Sequence, residues 1–256
     1  MIIPGIVSAT FKKESPAFVM EAAGAAGLKA VEWSENWHVA PGDTQAAAEL
    51  CRQTQDAGLA VAGYGSYYKL GIEEDPVSRF DQSLRNAYAL HAPLIRIWGG
   101  VKASRDVTEP EWEQMVEEAR QAAAAADEMN IKVALEWHRN TLTDTNESAQ
   151  RFLSDVNHRN LYCLWQPTPD LSLQQRREGL DMLERSGKLL NLHVYYWEDD
   201  GRHPFADGTE VWRTYLDHVN FSEDRYALME FVKGDSREQL IADAKCFEAL
   251  LKEKEN

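Results

Sequence analysis

The chain has 256 residues, of which 44% are hydrophobic and 27% charged, a composition typical of globular proteins. Its 42 acidic and 27 basic side chains give a formal net charge of −15, which disfavours nucleic acid as a partner because like charges repel. The sequence contains no linker-like stretch, no basic segment followed by a long apolar run near Met1, and no run of eighteen apolar residues. We therefore expect one domain spanning residues 1–256, cytoplasmic and without a membrane partner.

Short apolar runs rich in strand-forming residues alternate eight times with longer amphipathic stretches. Ser15, Asp75 and Thr108 each stand before or near a proline, where a capping side chain begins a helix, and Ser236 with Gln239 predicts a capping box for the last helix. The predicted strands are residues 2–8, 30–33, 59–64, 94–98, 132–136, 161–165, 189–194 and 226–231.

Strands that are apolar on both faces and separated by helices predict a parallel sheet covered by helices. An open sheet gathers its ligand chemistry where the strand order reverses, whereas a closed barrel draws site residues from the carboxyl end of every strand. No GxGxxG follows the first strand and no GxxxxGK[ST] occurs, so dinucleotide and P-loop motifs are missing. The first polar residues at the strand ends lie on six different strands, which favours a (β/α)8 TIM barrel: Glu32, Arg96, Glu136, Gln166, His193 and Glu230.

Four of these residues lie at the ends of four successive strands, the fifth to the eighth, and have the composition of a metal site. Glu136, Gln166, His193 and Glu230 offer three oxygen ligands and one imidazole. This set suits Mn²⁺, Mg²⁺ or Co²⁺, and Zn²⁺ also fits. Asp170, in the loop after Gln166, is an alternative ligand of the sixth strand. The carboxyl ends of neighbouring barrel strands lie on one arc of the mouth, so these side chains can converge on one ion.

Aromatic residues also concentrate at the strand ends. Indole rings pack against the C–H faces of sugars, and their N–H groups can donate to hydroxyls. Tyr67, Tyr68 and Lys69, just after the predicted third strand, form either a lid over the pocket or part of a subunit interface. We expect about half of the tryptophans to line a carbohydrate-sized pocket and the others to seal the barrel top; they are Trp33, Trp98, Trp137, Trp165 and Trp197.

Three segments carry a resemblance to a known family: Ala-Val-Glu-Trp at residues 30–33, the triplet at 136–138, and the stretch from His193 to Gly208 that contains Gly-Arg-His-Pro. With these motifs the chain resembles, over essentially its whole length, the sugar phosphate isomerase/epimerase family of xylose-isomerase-like barrels. Ketose 3-epimerases, hydroxypyruvate isomerases and inosose dehydratases belong to that family. Many relatives carry an aspartate ligand where this chain has Gln166, followed by a loop histidine that this chain lacks.

The resemblance implies that Glu136 and Glu230 bind the metal and also act as acid and base, with His193 as a further ligand. It further implies that Arg202 holds substrate oxygens and that His138 lies near the substrate. Together with the polar and aromatic strand ends, this gives a predicted substrate-binding set of Glu32, Trp33, Tyr67, Arg96, Trp98, His138, Arg202 and His203.

The expected activity is therefore a divalent-metal-dependent isomerase or epimerase, with Mn²⁺ as the first choice of metal, that acts on a small keto sugar or hydroxy-keto acid through an enediolate. A dehydratase or keto-glycoside lyase shares the same first step, and a sugar-binding relative without turnover is a third possibility. An endonuclease for abasic DNA, which has this fold, would need more metal-binding histidines and a basic groove. Relatives are often dimers or tetramers, so a homo-oligomer is compatible with the sequence.

Overall fold

Eight parallel strands close into a barrel in the computed structural model, which describes residues 1–198 and 201–255. The barrel strands are β1 (Ile2–Val7), β2 (Ala30–Ser34), β3 (Ala60–Lys69), β4 (Leu94–Trp98), β5 (Lys132–Glu136), β6 (Leu161–Trp165), β7 (Leu189–Val194) and β10 (Arg225–Met229). Their order around the barrel is β1, β10, β7, β6, β5, β4, β3, β2, and β1 pairs with both β2 and β10. The predicted (β/α)8 TIM barrel is confirmed.

A short antiparallel strand pair follows β7, with β8 (Trp197–Glu198) paired to β9 (Gly201–Arg202). The helices that cover the barrel pack their apolar faces against the outer faces of the strands, and this layer forms the main core. They are α1 (Pro16–Ala25), α2 (Thr44–Asp56), α3 (Pro76–Ala89), α4 (Glu109–Glu128), α5 (Asn146–Val156), α6 (Leu173–Arg185), α7 (Thr209–Leu216) and α8 (Arg237–Glu255). In the described part of the chain, none of the helices combines the length and apolarity that a bilayer crossing requires.

Side chains cap the helices largely where the sequence predicts. The Ser15 hydroxyl and the Asp75 carboxylate accept from backbone N–H groups in the first turns of α1 and α3, and Thr108 forms a capping box at α4. At α8, Ser236 accepts from the Gln239 N–H (3.0 Å), but the Gln239 amide donates to Asp243 (2.7 Å). Half of the predicted box therefore forms, because a buried carboxylate one turn further along competes for the amide.

Two strand boundaries differ from the prediction in a way that affects the site. The strand β3 continues to Lys69, so Tyr67 and Tyr68 lie in a strand and not in a loop after it. Its pairing with β4 is irregular between Gly65 and Lys69, and this extension turns Tyr67 toward the mouth. The last strand ends at Met229, one residue before Glu230, so this glutamate stands directly at the barrel mouth.

Candidate active site at the carboxyl ends of the strands

A cavity of about 480 Å³ opens at the carboxyl ends of the barrel strands. Its polar lining comes from Arg96 on β4, Glu136 on β5, Gln166 after β6 and Glu230 after β10. Five aromatic side chains line it as well: Tyr67, Trp98, Tyr195, Trp197 and Phe231. The structure thus brings charged and aromatic residues from six of the barrel's strands and their loops into one pocket of the size that small ligands occupy.

Three of the predicted metal ligands converge beside this cavity: Glu136 and Glu230 line it, and the fully buried His193 lies behind its surface. One ligand atom each from Glu136, His193 and Glu230 lies within 4.8 Å of the others, and all three residues are buried. Gln166 adjoins them, because its amide nitrogen donates to Glu136 Oε1 (3.2 Å) and to the Trp137 carbonyl (2.8 Å). Two carboxylates and an imidazole suit a divalent cation. The donors therefore fit a metal ion.

Asp170, the alternative ligand of the sixth strand, takes a different position. It lines the cavity but pairs with Arg139 (3.5 Å), and its side chain is 60% exposed. Of the two candidates, only Gln166 contacts Glu136.

Five buried ionisable residues form a continuous chain across the barrel interior, which we call the charged network. Arg96 Nη1 lies 2.8 Å from Glu136 Oε2, and Arg96 Nε lies 3.7 Å from Glu32 Oε1. On the other side, Glu32 Oε2 lies 3.4 Å from His193 Nε2, and His193 Nδ1 lies 3.3 Å from Glu230 Oε2. Each proposed catalytic glutamate is thus linked through one cationic or imidazole group to Glu32.

Electrostatics in the charged network favour positive charge next to the carboxylates. Burial alone would lower the pKa of His193, but Glu230 and Glu32 outweigh burial and raise that pKa to about 10. Burial alone would raise the pKa of Glu32, but His193 and Arg96 outweigh it and hold the pKa below its usual value. The carboxylates that favour a proton on the ring also favour a metal cation beside it, and the two compete for the same imidazole.

The tryptophans separate into two groups. Trp98 and Trp197 line the cavity, whereas Trp33, Trp137 and Trp165 are fully buried away from it. The Trp33 indole donates to Thr54 on α2 (3.0 Å). Consecutive strand residues point to opposite faces, so Trp33 faces the helix layer because Glu32 faces the barrel interior. The structure therefore does not bring Trp33 to the cavity as the substrate-binding prediction requires.

Three other predicted substrate residues also lie off the cavity surface. Glu32 is fully buried in the charged network. The Arg202 guanidinium pairs with Asp235 and lies over the rings of Phe231 (4.7 Å) and Trp197 (5.5 Å), so it supports the wall from behind. His203, directly after β9, packs its ring near Tyr196. The remaining predicted residues do line the cavity: Tyr67, Arg96, Trp98 and His138.

Four charged or aromatic residues that line the cavity were not predicted: Arg139, Tyr195, Glu198 and Phe231. Tyr195 directly follows β7, and its hydroxyl donates to the Pro167 carbonyl (3.1 Å). Phe231 comes two residues after the end of β10 and has a positive φ of 51°. The sequence offered one signal for these residues, which is their position near a strand end. Three of them come within four residues after a predicted strand, and Phe231 is the last residue of one.

Known proteins resemble the chain in sequence and in fold. A family model described as xylose isomerase-like TIM barrel matches residues 20–250. A 3-dehydroshikimate dehydratase of Bacillus anthracis is 39% identical over 110 residues, which cover 42% of this chain and 39% of that protein. The match therefore spans well under half of the dehydratase.

Solved structures give a likeness over the whole barrel at low sequence identity. The structure of an L-ribulose 3-epimerase superposes with a TM-score of 0.75 at 14% identity, covering 100% of this chain and 97% of that chain. The IolI protein, solved with a bound zinc atom, superposes with a TM-score of 0.74 at 13% identity, covering 98% of each chain. These structures support the fold, and the family match extends over most of the sequence. The chain belongs to the family of xylose isomerase-like TIM barrels.

Proposed function

We propose that the protein is a divalent-metal-dependent isomerase or epimerase that moves a proton next to the carbonyl of a small keto sugar or hydroxy-keto acid. One observation carries the proposal: Glu136, His193 and Glu230 bring ligand atoms within 4.8 Å of one another at a cavity of about 480 Å³. A structural ion-pair cluster has no need of an adjoining ligand-sized cavity. The combination supports chemistry on a bound small molecule.

The metal would be held by Glu136, His193 and Glu230, with Mn²⁺ as the first candidate and Mg²⁺, Co²⁺ or Zn²⁺ as alternatives. Gln166 would be the fourth ligand through its amide oxygen, which requires the amide to turn over, because its nitrogen is the atom that faces Glu136 in the structure. When bound, such an ion polarises a carbonyl and its neighbouring hydroxyl and so lowers the cost of forming an enediolate. The IolI structure contains zinc, which supports a metal in this fold family.

The two glutamates would handle the proton. Glu136 and Glu230 come from β5 and from the end of β10, and both line the cavity. One carboxylate accepts the proton from the carbon next to the carbonyl, and the other returns a proton to the opposite face or to the neighbouring carbon. Trp98, Tyr67 and His138 would pack against the C–H faces and hydroxyls of the substrate.

A dehydratase is a second candidate, favoured by the 39% identity to 3-dehydroshikimate dehydratase over 110 residues. Its first step is the same removal of a proton next to a carbonyl. The enolate then expels a hydroxyl from the adjacent carbon, a carboxylic acid supplies its proton, and water leaves. The two reactions differ in the fate of the enolate and not in the residues that form it.

Deuterium exchange tests the proposal. Purified protein is stripped of metal with a chelator, reloaded with Mn²⁺ or Co²⁺, and incubated in heavy water with a panel of ketoses, aldoses, inososes and hydroxy-keto acids. We expect exchange next to the carbonyl of at least one compound, lost on stripping and restored by reloading. Retention of all substrate oxygens identifies an isomerase or epimerase, whereas loss of water identifies a dehydratase.

Two outcomes contradict the proposal. Full activity in rigorously metal-free protein would remove the metal-dependent mechanism. Absence of exchange over the whole panel, with ligand binding retained, would instead favour a sugar-binding relative without turnover.

A further inference from the structure

The geometry points to Glu32 as a positioning residue that orients His193, so that Nδ1 of the ring faces a metal ion while Nε2 carries the proton. This inference rests on the proposed metal-dependent function and assigns a role that differs from the predicted substrate contact. Glu32 is fully buried and lies off the cavity surface, so it acts through His193 and not on the substrate.

The two ring nitrogens of His193 have different surroundings. Nε2 lies 3.4 Å from Glu32 Oε2, and Nδ1 lies 3.3 Å from Glu230 Oε2 and makes no hydrogen bond of good geometry. A neutral imidazole carries one N–H donor and one lone pair. A proton on Nε2 satisfies Glu32. It leaves the Nδ1 lone pair pointing toward Glu230, another of the proposed metal ligands. Histidine ligands in proteins commonly donate their second nitrogen to a carboxylate in this way.

Glu32 is itself held in place from the opposite side. Arg96 lies against Glu32 Oε1 and also pairs with Glu136, so the position of Glu32 is coupled to both halves of the site. The side chains of Glu32 and Arg96 pack against Gly65 on β3, which has no side chain of its own. A Cβ atom there would lie 2.7 Å from both Glu32 Oε1 and Arg96 Nη2, closer than contact distance. The strand therefore carries a glycine where any side chain would displace the carboxylate that orients the histidine.

A purely structural role for Glu32 makes a different prediction, and the chain contains a matched control. Glu35 is three residues away, equally buried, and paired with Arg79. It has no contact with His193, Glu136 or Glu230 among the described residues. Loss of charge at either glutamate affects a buried ion pair, but only Glu32→Gln weakens the hold on the metal-facing histidine.

Calorimetric titration of Mn²⁺ into chelator-treated protein measures this difference. We expect Glu32→Gln to weaken Mn²⁺ affinity about 10–100-fold, the usual effect of losing an outer-shell carboxylate, and Glu35→Gln to leave it unchanged. Equal affinities of Glu32→Gln and wild type would overturn the role of Glu32 while leaving the metal site intact. Failure of the wild-type protein to bind Mn²⁺ would overturn the metal site and this inference with it.

A second measurement uses the wild-type protein and is independent of how Glu32→Gln folds. Nitrogen-15 NMR of histidine-labelled protein loaded with Zn²⁺, a diamagnetic probe, reports which nitrogen of His193 binds metal. We expect zinc on Nδ1 and a slowly exchanging, hydrogen-bonded proton on Nε2. Zinc on Nε2, or a proton on Nδ1, would exclude the proposed orientation.

Discussion

Two buried acidic clusters, one centred on Glu32 in β2 and one on Glu35 just after that strand, differ in how well their polar atoms are satisfied. Glu32 and Glu35 are both fully buried, and each lies beside an arginine. Around Glu35, the carboxylate accepts from the Arg79 guanidinium, the Ser83 hydroxyl and the Tyr67 backbone N–H (2.8 Å). Both of its oxygens have partners, as expected for a cluster that stabilises the fold.

The charged network around Glu32 is satisfied less completely. Its members attract one another at distances of 2.8–3.7 Å, yet several buried atoms lack a hydrogen bond of good geometry: Glu32 Oε1, Arg96 Nε and Nη1, Glu136 Oε2 and His193 Nδ1. Leaving buried polar groups unsatisfied costs stability. The contrast supports the proposal that the Glu35 cluster serves the fold, whereas the charged network serves the proposed metal site.

The largest expected effect comes from replacing the two glutamates of the network that line the cavity. Glu136→Gln or Glu230→Gln keeps the shape but removes the charge and nearly all the basicity of the side chain. We expect turnover to fall by at least about 10²–10⁴-fold, the usual contribution of an acid or base. The melting temperature should stay within a few degrees of wild type at saturating metal, because Arg96 and His193 each keep Glu32 as a charged partner. Deuterium exchange, metal content and thermal unfolding of the same samples check both parts.

The same two variants can contradict the catalytic roles of Glu136 and Glu230. If both residues were ion-pair partners that serve only the fold, each variant would unfold at a clearly lower temperature while the folded fraction kept its activity. Near-normal exchange in either variant would remove that residue from the catalytic pair.

A smaller effect, on the free energy of unfolding, is expected from a substitution in the Glu35 cluster. Glu35→Gln leaves the positive charge of Arg79 without its buried carboxylate, and breaking such a pair costs about 2–3 kcal/mol of unfolding free energy when the arginine keeps some solvent contact. The Arg79 side chain is 21% exposed. Chemical denaturation measures the change, and Glu49→Gln on the exposed face of α2 is the control, expected to unfold like wild type. A Glu35→Gln protein of normal stability would contradict the structural assignment of this cluster.

Much of the barrel could be predicted from the sequence because the evidence is local. The bounds of β4, β5, β6 and β7 agree with the prediction, since each is a compact apolar run between turn or helix signals. The strand β3 was predicted too short because Tyr67-Tyr68-Lys69 has the composition of a loop, whereas its pairing with β4 holds it in the sheet. That residues 1–256 form a single domain stays a prediction, which limited proteolysis can test.

The candidate site could be predicted as a set of strand ends but not as a set of contacts. Pairings such as Glu32 with His193, 161 residues apart, depend on barrel closure and leave no trace in local sequence. The tryptophans could have been assigned by alternation. If Glu136 and Gln166 face the interior, then Trp137 and Trp165 face the helices, while Trp98, two residues after Arg96, shares the inward face. The structure has this arrangement.

The smallest expected effect concerns the tryptophans, which also divide into residues that line the cavity and residues that pack in the core. Trp98 lines the cavity beside Tyr67 (ring centroids 6.3 Å) and His138 (4.5 Å), whereas Trp165 is fully buried with its ring edge against Tyr215 (5.0 Å). We expect Trp98→Phe to raise KM about 2–10-fold, the range that corresponds to losing part of an aromatic contact of about 0.5–1.5 kcal/mol, with little change in unfolding free energy.

The control is Trp165→Phe. It should leave KM unchanged and lower the unfolding free energy by about 1–3 kcal/mol, because the smaller ring leaves a cavity in the core. Steady-state kinetics on the substrate found by deuterium exchange, together with denaturation of both variants, separates the two effects. If Trp165→Phe changed KM while Trp98→Phe changed only stability, the inward and outward assignment of these strand ends would be wrong.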